Sequence, residues 1–417
     1  MSYMPRLVDA EIEELLKTMG IVLIEGPKAV GKTKTARQWA KTEIKLDIDE
    51  NARILAKTAP ENLLVGEVPI LIDEWQLVPE LWAYTKDVAD ISQKKGQFIL
   101  TGSTVPKDDV TRDVNALRVG RLLIRPMSLF ETGHSTGTVS LADLFDGAAP
   151  TTPDPGLSLH QVAERVCVGG WPNVQGLTVE RAQRAMKHYV NEITGHDVQL
   201  ASGTNFNKDN VSKVLRSLAR NVGTKVSIST IAADAGGKNT PLHRTTTTDY
   251  LNSLSRVFIT ENSPAWTPEL RSSVRVRGQE TRYFIDPSLA VAAAGASPRV
   301  LISGQIKYFG FLFENLVVRD VRCYMQSLFG EVRQFRDEKD REVDIIIVLP
   351  NNRWAAMEVK LGVGQVEEAA EGLLAFKNRI DTEAQGEPVF MAVVTATGPA
   401  YVRSDGVFVI PIGALGP

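Results

Sequence analysis

At 417 residues the chain is longer than a single hydrophobic core usually spans, which points to roughly two to four domains. Its 43% hydrophobic and 23% charged residues are the proportions of a soluble globular protein, and no apolar stretch reaches the length of a membrane span. A net charge of -3 gives the whole chain no attraction for polyanions, so any such site has to be local.

The two cysteines, Cys167 and Cys323, lie far apart and form no metal-finger spacing, as in a reduced cytosolic protein without a disulfide framework. The first twenty residues, MSYMPRLVDAEIEELLKTMG, lack the apolar core of a signal peptide. A cytoplasmic location with no membrane association is the expectation.

The first strong element is an apolar run, Ile21 to Ile24, leading into Gly26, Pro27, Lys28, Ala29, Val30, Gly31, Lys32 and Thr33, with helix-favouring residues to Ala40. Strand, G-x-x-x-x-G-K-[ST] loop and helix together make a P-loop. Its glycines let backbone N–H groups curl around phosphate oxygens at the positive end of the helix. Lys32 is then placed to neutralise the β and γ phosphates of ATP, and Thr33 to offer a hydroxyl to Mg2+.

A second apolar strand, VPILIDEWQ, ends in Asp73 and Glu74. Ligands sit at the carboxyl ends of strands in open α/β sheets, so Asp73 is expected to hold the hydrated Mg2+ and Glu74 to orient the attacking water. A third strand, Gln97 to Leu100, runs into Thr101, Gly102 and Ser103, and Arg118, Arg121 and Arg125 punctuate the strand-like segment that follows.

The ordered set GPKAVGKT, ILIDEWQ, FILTGS, IRPMSLFE and GGWP resembles a group of prokaryotic AAA-family (AAA+) ATPases that carry a C-terminal domain of unknown function. The resemblance spans nearly the whole chain. It implies that Ser103, with Thr101 in reserve, senses the γ-phosphate or the lytic water. It also implies that Arg118 acts as a finger on a neighbouring subunit's ATP, although the Gly-Ala-Gly-Arg setting usual in the family is Asn115-Ala-Leu-Arg118 here. A homo-oligomer, a ring of about six subunits, is implied by the same relatives and by that arginine.

Residues 135–155 thin into Gly, Ala, Thr, Asp and Pro and read as a linker, after which helical periodicity resumes to residue 200 as a small lid. His188 and His196 lie eight apart without acidic or thiol partners at ligand spacing, which argues against a metal. From Asn210 three helices with a Gly-containing turn, followed by strands near VFITE and RYFID, make a winged helix-turn-helix. Residues 211–285 hold eleven Lys/Arg against five Asp/Glu, so the basic character missing from the chain as a whole is concentrated here. Arg244, Thr245 and Thr246 at the start of the third helix and the arm Arg271, Arg275, Arg277 are candidate DNA contacts, through the backbone more than through base edges.

After Gly304 comes an amphipathic helix with Glu314, and then REVDIIIVLPNNRWAAMEVKLG, two strands around a Pro-Asn-Asn turn. Pairing Leu349 with Arg353 sets Asp344 opposite Glu358 and puts Lys360 on the face of Glu358. This arrangement resembles the PD-(D/E)xK restriction-endonuclease-like fold, with Asp344, Glu358 and Lys360 matching its D…ExK signature and Glu314 its helical acid. Such a resemblance implies two carboxylates on Mg2+ with the lysine activating water, and equally a nuclease-like scaffold used only for binding.

The expected fold is therefore α/β: an AAA+ core over residues 1–137, a linker and helical lid over 138–205, a winged helix over 206–300 and a nuclease-like α/β domain over 301–417. The expected function is a Mg-ATP-dependent ATPase that works as a DNA-binding motor or remodeller on duplex or branched DNA. An ATP-gated DNA nuclease and a signalling switch with protein partners are the alternatives.

Overall fold

A computed structural model describes residues 3–105, 118–199, 206–236, 240–268 and 278–417, the side chain of residue 196 excepted. The N-terminal part alternates helices and strands in chain order: α1 (Asp9–Thr18), β1 (Ile21–Glu25), α2 (Lys32–Ala36), β2 (Thr42–Lys45), α3 (Glu50–Thr58), β3 (Ile70–Asp73), α4 (Glu80–Ser92), β4 (Phe98–Gly102) and β5 (Val119–Leu123). The strands form a parallel sheet in the order β2-β3-β4-β1-β5. They read as unbroken apolar runs because both faces are covered. Ile21, Leu23, Ile72 and Leu100 pack on one side, and Val22, Ile24, Leu71 and Ile99 on the other.

Register then places the chemistry. Glu25 lies opposite Gly102, and Asp73 opposite Thr101, so the carboxyl ends of β1, β3 and β4 share one edge of the sheet. Strand β4 runs two residues past the expected end at Leu100, which puts Thr101 inside the sheet and fully buried.

The stretch read as a linker is partly structured. It contains β6 (Val139–Ser140) and α5 (Leu141–Phe145), whose Ser140 side chain accepts from the Asp143 N–H as an N-cap. Leu141, Leu144 and Phe145 are buried, and β6 pairs in parallel with the C-terminal strand β13 (Leu415–Gly416). A partner almost 280 residues away, at Leu415, holds Val139 in a strand, and no local composition signals that.

Two helices follow, α6 (Leu159–Val168) and α7 (Val179–Glu192), the first started by a capping box between Ser158 and Gln161. Next come α8 (Lys208–Arg220), α9 (Ile228–Gly236) and α10 (Arg244–Arg256). The strands expected beside them appear only as single bridges, Thr260 with Phe284, Ser263 with Thr281 and Thr224 with Arg282. After α11 (Pro287–Ala294) and the long α12 (Ile306–Met325), strands β7 (Glu331–Arg336), β8 (Glu342–Val348) and β9 (Trp354–Lys360) precede α13 (Val366–Lys377) and β10 (Met391–Thr395). With β11 (Tyr401–Val402) and β12 (Phe408–Pro411) they make a mixed six-stranded sheet, ordered β11-β12-β10-β9-β8-β7.

Helix α12 organises everything after the parallel sheet. Its apolar side enters a core that runs without a break from Leu129 to Leu415, across both boundaries expected at residues 205 and 300. Its polar residues bind the other segments turn by turn. Asn315 exchanges two hydrogen bonds with the Phe284 backbone, at 3.2 and 2.8 Å. Arg319 bonds Asp286 at 2.7 Å and Asp320 at 2.8 and 2.6 Å, with all three side chains out of solvent. Arg322 donates to the carbonyls of Glu261 and Asn262 and to Ser263 Oγ.

The carboxylates on Arg319 extend that grip. Asp286 accepts from the Gly170 N–H at 3.0 Å, and Asp320 from the Leu129 N–H at 3.1 Å. The SLFE and GGWP motifs thus dock on one buried guanidinium. Glycine is required at both positions of the pair: a Cβ on Gly169, whose φ is +76°, would lie 2.2 Å from Ser288 Oγ, and one on Gly170 2.3 Å from the Met127 carbonyl.

Removing one partner of a buried ion pair strands the others without compensation. Arg319→Ala is expected to destabilise this body by about 3–5 kcal/mol, read as a lowered urea midpoint. Arg319→Lys should recover less than half of that, because a single ammonium cannot fork across Asp286 and Asp320.

Candidate functional site

The P-loop closes around its own lysine. Gly26 has φ +149° and a Cβ there would lie 2.3 Å from the Ile124 carbonyl, so only glycine lets the loop leave β1 beside β5. Lys32 Nζ donates to the carbonyls of Gly26 at 2.9 Å and Pro27 at 3.0 Å. Burial pushes this ammonium down to about 8, against the pull of Glu74 and Asp73. It is an ammonium whose charge a phosphate would stabilise.

At the neighbouring strand ends the polar residues divide into two pairs. Asp73 Oδ1 accepts from Thr33 Oγ1 at 2.8 Å and from Thr101 Oγ1. Burial pushes the Asp73 carboxyl above its usual range, and the two hydroxyls restrain it. Glu74 turns out of β3 with φ +57°, a left-handed residue that costs on the order of 1 kcal/mol outside glycine. Its carboxylate accepts from Ser103 Oγ at 2.9 Å and from Gln76 Nε2. Sequence reasoning left Thr101 and Ser103 as rivals for one role. The structure sets Thr101 on Asp73 and Ser103 on Glu74.

The donor set at Thr33 and Asp73, one hydroxyl and one carboxylate, is hard oxygen that suits Mg2+ completed by phosphate and water. When bound, that ion would neutralise charge on the terminal phosphates. Beside the loop lies a cavity of about 480 Å3, lined by Tyr3, Lys32, Thr33, Thr35, Pro172 and Asn173 among others, with room for a nucleoside.

Several residues of this site carried no motif. Gln76, two places after Glu74, orients it. Arg6 is buried and donates to the P-loop carbonyl of Val30 at 3.1 Å, to the Arg125 carbonyl at 2.6 Å and to Glu131 at 2.9 Å. The lid contributes Trp171 Nε1 and Tyr189 OH, each donating to the Lys28 carbonyl at 3.0 Å. Only the Trp of GGWP was visible beforehand, and nothing in its motif named its acceptor.

The three arginines differ. Arg118 pairs with Asp90 and precedes β5, at the amino ends of the strands, so it lies away from the P-loop of its own chain. Arg121 is 3.5 Å from Glu25. Arg125 is half-buried against Glu261, at 2.6 Å, and Gln326, at 2.7 Å, which makes it a joint between the parallel sheet and the end of α12.

In the C-terminal sheet the expected hairpin register is observed. Ile345 lies opposite Met357, the Leu349 N–H donates to the Arg353 carbonyl at 2.9 Å, and the Val359 N–H donates to Asp344 Oδ2 at 2.8 Å. Lys360 Nζ sits 2.5 Å from Glu358 and 3.7 Å from Asp344. Burial and the Asp344 charge push Glu358 up to about 8. Glu314, pushed well above the usual carboxylate range by burial and Asp344, accepts from Tyr283 OH. Among the described residues no group of three or more His, Cys, Asp or Glu side chains is arranged to hold a metal.

Arg244 and Thr245 are exposed at the start of α10 and Thr246 is half-buried, with His243 Nδ1 2.7 Å from Thr245 Oγ1. Arg271, Arg275 and Arg277 lie outside the described residues. His188 is exposed on α7.

With this geometry in hand, comparison with known families gives a direct result: residues 18–133 match the AAA domain. The match covers the P-loop and the parallel sheet. Residues 159–300 match a domain of unknown function, DUF8612, and residues 309–415 another, DUF4143. Among solved structures, a Walker-type ATPase of Pyrococcus abyssi is similar at 15% identity and a TM-score of 0.43, over 68% of this chain and 94% of that one. A signal transduction ATPase with numerous domains (STAND) and a tetratricopeptide repeat sensor, from Pyrococcus horikoshii, is similar at 12% identity and a TM-score of 0.22, over 78% of this chain and 50% of that one. No curated protein matches the chain. Among the described residues no helix is long and apolar enough to cross a membrane.

Two outcomes follow for the AAA domain. Lys32→Ala should abolish nucleotide binding, whereas Glu74→Gln should keep binding and lower turnover by at least about a hundredfold, the scale of a lost catalytic base. Titration with a fluorescent ATP analogue and a phosphate-release assay separate the two. Because triphosphate captures the charged lysine, ATP affinity should be level below pH 8 and fall about tenfold per unit above it. A flat affinity profile from pH 7 to 9.5 would contradict the assigned state of Lys32.

Proposed function

We propose that this protein is a Mg-ATP-dependent ATPase that acts on DNA, its nucleotide cycle repositioning a basic helical module on duplex or branched substrate. The observation that carries the reading is the physical joint between the two. Arg125, two residues past β5, is locked to Glu261, which Arg322 of α12 also holds, at 3.6 Å. Glu261 follows directly on the helices that carry the local excess of Lys and Arg. On that module Lys213, Arg216 and Arg244 present exposed side chains. Exposed cations concentrated in one segment of an otherwise acidic chain are the electrostatic footprint of a phosphate-backbone binder.

Within this proposal residues 206–300 work as a winged helix, with Arg244, Thr245 and Thr246 meeting phosphates. Arg118 completes a neighbour's site in an oligomer, a ring of about six subunits. Cleavage by the C-terminal domain is the lesser reading. Lys360 is already bound to Glu358, and Tyr283 occupies Glu314, so a metal would have to displace both.

Fluorescence anisotropy with duplex, single-stranded and branched oligonucleotides at two salt concentrations tests the reading. Binding should weaken steeply with salt, and Lys213→Glu combined with Arg244→Glu should cost about tenfold or more in affinity while ATP binding is unchanged. DNA should also raise the ATPase rate. Failure to bind any oligonucleotide, with or without nucleotide, would overturn it and favour a switch that acts on protein partners.

A further inference from the structure

Lys28, third in the P-loop, is held by its backbone and not by its side chain. Its carbonyl accepts from Trp171 and Tyr189, both from the lid, so the main chain at this point is pinned. Its ammonium, on a side chain 58% exposed, reaches Asp197 Oδ1 at 3.4 Å. That is long for a charge-assisted hydrogen bond, which closes to about 2.7–2.9 Å, and an exposed pair of this kind contributes little to stability.

The partner is placed unusually. Asp197 ends a π-helical turn, Ile193–Asp197, that continues α7. π-turns are rare, and they appear mostly as single turns at functional sites. The Asp197 side chain is itself only 14% exposed, so the pair is an outward-facing cation leaning on an inward-facing anion. Pro27, whose carbonyl takes one of the Lys32 hydrogen bonds, is the residue next to Lys28. After Glu74 and Asp73, Lys28 and Asp197 are the next charges felt by the Lys32 ammonium. The cavity beside the loop is lined by Ala29, the residue after Lys28, and runs along Gly31, Thr33 and Thr35 to Glu74. Lys28 thus stands one residue from the rim of that cavity, among the charges that act on Lys32.

We propose that Lys28 is a second phosphate-binding cation of the AAA site, parked on Asp197 while the P-loop is empty and transferred to the γ-phosphate when ATP binds. The inference rests on the ATPase reading of the domain. A terminal phosphate carries more charge than one carboxylate and has three oxygens to offer, so it takes the lysine. ADP ends one phosphate short and leaves it on Asp197. In hydrolysis the water oxygen bonds to the γ-phosphorus as the bond to the bridging oxygen breaks. The electron pair of that bond stays on ADP, and a water proton passes to Glu74. Lys28 neutralises the γ-oxygens through that step from within the same chain. Its departure also leaves Asp197 without this cation, so the π-turn and the lid register which nucleotide is present.

The full-length protein tests this by dissociation constants for a slowly hydrolysed ATP analogue, ATPγS, and for ADP. Lys28→Ala should weaken ATPγS about tenfold and ADP less than about twofold, the loss of one charge-assisted bond to the γ-phosphate alone. Lys28→Arg should retain tight ATPγS binding. Asp197→Ala should strengthen ATPγS severalfold with ADP unchanged, because the competing anion is gone. Opposite directions for the two alanine variants are what a transfer requires. If both weaken ATPγS, or if Lys28→Ala weakens both nucleotides equally, the pair is only a strap on the lid and the proposal falls. If the wild-type protein binds neither nucleotide, the ATPase reading itself falls.

Discussion

One buried guanidinium decides how this chain is assembled. Arg319 sits between Asp286 and Asp320 with no solvent to share its charge, and each carboxylate also accepts from a backbone N–H of a distant segment, Asp286 from Gly170 and Asp320 from Leu129. A buried ion pair contributes little net stability, since desolvation offsets the attraction, but it is intolerant of mispairing. The four segments that meet there must arrive together. What the node supplies is specificity of docking, and it supplies it to two motifs that otherwise look unrelated to the C-terminal sheet.

From that node the nucleotide site inherits its lid. With Gly170 fixed by Asp286, the next residue, Trp171, is delivered to the Lys28 carbonyl, and Pro172 and Asn173 to the rim of the nucleoside cavity. Arg6 performs the same service from the N-terminal side, joining the Val30 and Arg125 carbonyls. Burial raises the Glu131 carboxyl, but Arg6 and the N–H groups of Ser128 and Leu7 more than reverse this, so it stays ionised as the counter-charge. The P-loop is thus framed by groups that also touch the rest of the molecule. Lys28 is joined in this way to Trp171, Tyr189 and Asp197, and Arg6 to Glu131.

What was legible in the sequence was whatever local chemistry dictates. The apolar run into GPKAVGKT, the acidic end of β3 and the period-two pattern of REVDIIIV are all consequences of neighbours in the chain, and each took the position expected of it. The hairpin register from Leu349 to Arg353 followed from a short turn. What was illegible depended on distant partners. Val139 and Ser140 are a strand because Leu415 and Gly416 lie beside them, and Arg125 is a joint because Glu261 is there. Gln76 reaches the Glu74 carboxylate through a turn at Glu74 with positive φ, which no periodicity announces. The polar face of α12 was the one signal available and unused: Asn315, Arg319 and Arg322 recur at helical spacing among apolar residues, the pattern of a helix that grips instead of one that is solvated.

The SLFE segment has a meaning that its place in the chain conceals. Leu129 follows directly on the parallel sheet in sequence, yet its side chain belongs to the large core that extends to Leu415, and its N–H to Asp320. The covalent border of the ATPase and its mechanical border are therefore different places. A fragment cut after residue 137 would carry into solvent a greasy tab shaped for the missing body, and it would invite aggregation. Swapping one half for a relative's would succeed only if the crossover preceded Pro126, so that the tab and its socket were inherited as a unit.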